Sequence, residues 1–178
     1  MKLTEKEQCI LNDSFILDML IYILDKFQTE DTDLTYGERF NKLGTNSNEL
    51  NEIFFLSDWL SYYFDNCQIS SLKYRIYESY TGYFVPVDSI YWNVRGHTIL
   101  HELWNSRINN VFTSSLTNRQ MFIIDNAISF SKSMPKVLGE ERLKDTFPYS
   151  FYCKDRPKDN IVDFKKLVKA CKKAMQES

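Results

Sequence analysis

The chain has 178 residues, of which 43% are hydrophobic and 15% aromatic. That composition suits one packed domain and argues against long disorder. The net charge of −2 and pI near 5.7 supply no general attraction to nucleic acid, and five glycines with four prolines favour long helices over many short strands.

The first predicted helix starts at Thr4, which forms a capping box with Glu7, and ends near Phe27. Its expected apolar face is Ile10, Phe15, Leu17, Leu20, Ile21, Leu24 and Phe27. The run Met19–Leu24 lies between Asp18 and Asp25 and is far too short to cross a bilayer. Acidic residues follow the first lysine closely, so a signal peptide is not expected and the reading is a cytosolic protein.

Residues 28–48 are a polar connection with an acidic cluster, Glu30, Asp31 and Asp33, followed by Glu38. The next predicted helix runs from Glu49 to about Asp65, capped by Ser47 or Asn48. Leu50, Ile53, Phe54, Leu56, Trp59, Leu60, Tyr63 and Phe64 form its aromatic-rich face. Residues 73–78 and 82–86 read as a hairpin, with a turn at Thr81-Gly82 and Pro86 suited to an edge.

A helix over about 88–110 contains Gly96 and both histidines, His97 and His101. The following helix has the strongest start signal in the chain. Thr117 and Gln120 fit a capping box, Leu116 and Met121 fit a hydrophobic staple, and Met134-Pro135 ends the segment. Met121, Phe122, Ile124, Ala127 and Ile128 are its expected inward positions. The last helix starts after Asp159 or Asn160, with Ile161, Phe164, Leu167, Val168 and Cys171 inward and lysines outward. The fold class is therefore mainly α: a single domain over 1–178, a bundle of about five main helices and one short hairpin near 73–86.

The chemistry is sparse. Cys9, Cys67, Cys153 and Cys171 form no CxxC pair, so reduced thiols are expected rather than a disulfide framework or zinc site. His97 and His101 stand at i, i+4, but no third ligand is marked, and neither metal nor cofactor is expected. No nucleophile elbow or phosphate loop is present. Charge is separated instead. Residues 1–70 hold five Lys/Arg against thirteen Asp/Glu, and residues 154–173 hold eight Lys/Arg against three Asp. Such faces steer charged partners or simply keep helices solvated.

Two resemblances follow from the motifs. Arg95 and His101, spaced R-x5-H, resemble the motif of HEPN ribonucleases, all-helical proteins of bacterial defence that cleave RNA without metal. Gly96 follows the arginine where that family usually has a polar residue. The second pattern is Tyr83-Phe84-Val85-Pro86, Phe112, Leu116-Thr117-x-x-Gln120 and Ile128-x-Phe130. It is similar to small bacterial proteins of uncharacterised function. Proteins of this small, acidic, helical type resemble the immunity proteins encoded beside contact-dependent or polymorphic toxins.

That resemblance implies a non-enzymatic protein that binds and blocks a basic cognate toxin domain, a nuclease being one candidate, with neither membrane nor nucleic acid as partner. Glu30, Asp31, Asp33, Glu38, Glu49, Glu52, Asp58 and Asp65 are the expected partner-facing acids, with Trp59 and Tyr62 as anchors. The alternative is a HEPN-like ribonuclease using Arg95 and His101.

Overall fold

The nineteen residues Ser47–Asp65 contain no glycine or proline and form the helix against which most of the fold is packed. The structure is a computed structural model that describes residues 14–28, 47–77, 83–86, 115–133, 151 and 161–177. In chain order these give α1 (Ser14–Gln28), α2 (Ser47–Asp65), β1 (Tyr74–Tyr77), β2 (Tyr83–Pro86), α3 (Asn118–Ser133) and α4 (Phe164–Gln176). The fold is mainly α, with four helices among the described residues rather than five. The helix expected over 88–110, the Thr4–Glu7 cap and the connection 29–46 lie outside the described residues.

Every residue of α2 from Leu50 to Asp58 is buried. A helix covered on all sides belongs in the middle of a fold, and α3, α4 and β2 pack around it while α1 packs on α3. Ile53, Phe54, Phe55 and Leu56 are wholly inaccessible. Each such side chain contributes about 1.5–3 kcal/mol by leaving water. The helix stops at Asn66, which adopts φ 56° and donates its N–H to the Tyr62 carbonyl at 3.1 Å. Asparagine tolerates this left-handed geometry better than most residues, which is why it suits a helix end.

The two strands of the hairpin fall where the sequence places them, and the expected turn at Thr81-Gly82 lies outside the described residues. β1 and β2 are antiparallel, with Tyr74 opposite Pro86 and Tyr77 opposite Tyr83. On its other side β1 bridges Arg75 to Ile161, and the Val162 N–H donates to the Tyr74 carbonyl at 2.8 Å. That bridge holds residues 161 and 162 extended and delays α4. The helix is capped by Asp163, whose carboxylate accepts from the Lys166 N–H at 3.1 Å, rather than beginning after Asp159 or Asn160. Its inward face is Phe164, Leu167, Val168 and Cys171 as expected, but Ile161 is exposed because it belongs to the bridge. Phe164 then stacks on Phe55 at 5.7 Å and Tyr62 at 6.0 Å, and meets the Tyr74 ring nearly edge-on at 5.8 Å. One aromatic residue thus joins α4, α2 and β1.

The start of α3 is the capping box read from the sequence. Gln120 N–H donates to Thr117 Oγ1 at 3.2 Å, and Thr117 N–H donates back to Gln120 Oε1 at 2.8 Å. Leu116 is buried and Met121 packs against the core beside it. The rotation of the helix differs from expectation. Ile123, Ile124, Ala127 and Ile128 face inward, whereas Phe122 is 60% exposed. In α1 likewise Ile16, Met19, Leu20 and Ile23 are buried at i, i+3, i+4, i+7, and Phe15 is exposed.

Candidate interaction surface

Two carboxylates from the acidic half of the chain are structural. Asp58, at the end of the buried stretch of α2, is completely inaccessible. Its Oδ1 accepts from the backbone N–H groups of Ile69 and Ser70, both at 2.9 Å. Its Oδ2 accepts from the hydroxyls of Ser70 and, at 2.6 Å, Tyr74. All four donors belong to the connection into β1 or to β1 itself, so this carboxylate fastens the hairpin to the central helix. Ser70 Oγ in turn accepts from the Leu72 N–H at 3.1 Å. Burial pushes the Asp58 carboxyl up to about 6, against the hydrogen bonds from Ser70, Tyr74 and Ile69, which favour its ionised form.

Asp18 does the same between α1 and the approach to α3. Its side chain is buried, and Oδ2 accepts from the Ser115 N–H at 2.6 Å and from the Ser115 hydroxyl. Asp18, Tyr22 and Lys26 form an i, i+4, i+8 row on α1, and the row continues onto α3. Tyr22 donates to both oxygens of Asp125, at 3.0 and 3.1 Å, and Lys26 pairs with Asp125 at 3.3 Å. Burial, then hydrogen bonding to Asp125, holds the Tyr22 hydroxyl above the usual phenol range.

The exposed end of α2 has a different character. Phe64 is 58% exposed and meets the Tyr63 ring edge-on at 5.1 Å. The Arg119 guanidinium lies 5.6 Å from the Phe64 ring centre and grips Asp65 with two hydrogen bonds of 3.2 Å. Phe122, which is exposed, stands one turn beyond Arg119 on α3. On the other side Lys172 sits 4.9 Å over the Tyr63 ring, and the Tyr63 hydroxyl donates to Met175 Sδ at 3.5 Å. Met175 is itself 67% exposed. Three helices therefore converge on a surface that carries open aromatic and thioether groups held in place by cations. Large exposed apolar side chains gathered in one place mark interaction surfaces more often than isolated ones do.

Among the described residues expected to face a partner, not all reach the surface. Glu52 and Asp58 are buried within α2, which corrects their assignment: neither reaches solvent. Tyr62 is stacked on Phe164 and Trp59 packs half-buried against the core, with its Nε1 inaccessible and making no hydrogen bond. Both are half-buried against the core. Asp65 is at the surface and is bound to Arg119. Glu30, Asp31, Asp33, Glu38, Arg95 and His101, with the side chain of Glu49, lie outside the described residues.

Phe64 belongs to the aromatic-rich face expected of α2 and is exposed, and no motif in the sequence marks Arg119, Lys172 or Met175.

Among the described residues no group of three or more His, Cys, Asp or Glu is arranged to hold a metal ion, and no helix is long and apolar enough to cross a membrane. Cys171 is buried, and burial raises its thiol above the usual range, while Cys67 is exposed. The described chemistry is thus that of a mainly helical domain with a well-fastened interior and one aromatic, cation-braced end. A scan of protein-family models, a search of curated proteins and a search of solved structures each return no match to this chain.

Proposed function

We propose that this chain is a non-catalytic protein-binding domain of the immunity type, which acts by covering a working surface of a toxin domain. The observation that carries the reading is the end of α2, where exposed Phe64 lies against Arg119, half-buried Tyr63 links it to exposed Met175, and exposed Phe122 follows Arg119 by one turn of α3. Aromatic residues and arginine supply most of the binding energy in protein interfaces because they bury large rigid areas at small entropic cost. Tyr63 and Phe64 are already oriented by Lys172, Met175 and Arg119, so little further ordering is lost on contact.

This reading moves the contact away from the eight acids named from sequence. Among the described ones, Glu52 and Asp58 are spent on the interior and Asp65 on Arg119. The direct test is protection of growth. Co-expression with the toxin domain of the neighbouring reading frame restores growth for the wild type. Phe64→Ala with Phe122→Ala abolishes that protection while circular dichroism stays unchanged. A double variant that protects as well as the wild type removes the proposal.

A further inference from the structure

α4 holds a row of lysines that the interior does not use. Lys165, Lys169 and Lys172 are exposed at i, i+4 and i+7, and Met175 continues the row one turn on. The row is about 15 Å long at the rise of an α-helix. Among the described residues no carboxylate pairs with these three lysines, whereas Lys166 pairs with Asp163 and Lys173 with Glu177, both at 3.7 Å. No acidic residue occurs anywhere in α4. At its far end the row meets the aromatic surface, since Lys172 lies over Tyr63 and Met175 accepts from the Tyr63 hydroxyl. Cationic stripe and apolar seat are therefore continuous although they come from helices far apart in sequence.

We infer that Lys165, Lys169 and Lys172, together with the Met175–Tyr63–Phe64 seat, receive an acidic amphipathic helix of the partner protein. This rests on the protein-binding reading above and adds the partner's chemistry, with a sign opposite to that expected from the acidic N-terminal half. Carboxylates three and four residues apart on a helix are spaced like the lysines facing them. An apolar side chain at one end of such a helix fills the seat. A nucleic-acid strand matches less well, because the chain as a whole is acidic, with a net charge of −2, and supplies no general attraction to phosphates.

The experiment uses the full chain and fluorescence anisotropy with a labelled synthetic peptide of about four helical turns. The peptide carries leucines at i, i+3, i+4 and i+7 and glutamates elsewhere. A scrambled peptide of the same composition and a single-stranded oligothymidine serve as comparisons. The patterned peptide binds at least about tenfold more tightly than the scrambled one, and more weakly as salt rises. The charge reversal K165E/K169E/K172E weakens it by at least about tenfold, and Phe64→Ala weakens the patterned peptide alone.

These lysines are exposed, so the reversed variant keeps its unfolding midpoint, which urea titration verifies. Equal binding of both peptides, no binding by wild type, tighter binding of the oligothymidine, or wild-type binding by the reversed variant overturns the inference. So does self-association of the wild type that the reversal abolishes, which would assign the row to a second copy of the chain. If the peptide fails but Phe64→Ala with Phe122→Ala still abolishes growth protection, the acidic helix is wrong and the protein-binding reading stands. If protection also survives, both fall.

Discussion

Asp58 and Asp65 lie on one helix, two turns apart, and carry the same charge in the sequence, yet their surroundings are opposite. Asp58 sits where α2 is covered on every side and accepts four hydrogen bonds from the segment that leads into and forms β1. Asp65 sits where α2 emerges, and a single arginine from α3 reaches it. The difference teaches that a count of acids along a chain is not a measure of acidic surface. Depth along the central helix decides whether a carboxylate fastens the fold or faces outward. The same division separates Phe54 and Phe55, inside, from Phe64, outside.

Removing the buried member sharpens the contrast most. Asp58→Ala leaves two N–H groups and two hydroxyls without their acceptor in the interior and lowers unfolding free energy by about 4 kcal/mol in urea titration. Next comes its titration. The Asp58 carboxyl is raised from 3.8 to about 6 by burial, so the folded state holds a proton that the unfolded state releases between those values. The resulting stabilisation is fully present below about pH 3.8 and is lost as pH rises through about 6. Relative to Asp58→Asn, which does not titrate, the wild type gains roughly 2 kcal/mol on going from pH 7 to pH 4. A difference between the two that stays flat over that range contradicts the buried, raised carboxyl.

Asp18→Ala, which frees only the two Ser115 groups, costs about 2 kcal/mol in the same titration. Loss of a helix cap, in Thr117→Ala or Asp163→Ala, costs about 1 kcal/mol and appears as a lowered thermal midpoint. Asp65→Ala completes the comparison with the smallest effect, at most about 1 kcal/mol, because the pair with Arg119 is exposed to solvent. A cost for Asp65→Ala as large as that for Asp58→Ala would erase the distinction drawn between the two ends of α2.

Local signals were legible in the sequence and long-range ones were not. Thr117 and Gln120 speak to each other across three residues, so their box can be read directly, and the alternation and turn before Pro86 locate the hairpin. The buried state of Asp58 depends on Ile69, Ser70 and Tyr74, and that of Asp18 on Ser115, which is 97 residues away. No periodicity within one helix encodes such donors. The start of α4 was misplaced for a related reason: Ile161 and Val162 are held extended by β1, a partner more than eighty residues earlier. Phe122 shows a third limit: Met121, Phe122, Ile123 and Ile124 are four apolar residues in a row, and periodicity alone does not say which of them turns outward. The exposed aromatic end suffers from all three, because it exists only where α2, α3 and α4 meet.

The account stands or falls on whether that meeting point, and not the acids of the N-terminal half, contacts the partner. The measurement is the dissociation constant of the cognate toxin domain for Phe64→Ala with Phe122→Ala against the wild type, taken with the unfolding free energy of both. The expected result is affinity lowered by at least about a hundredfold, with stability changed by less than about 1 kcal/mol. Unchanged affinity in a normally folded double variant contradicts it.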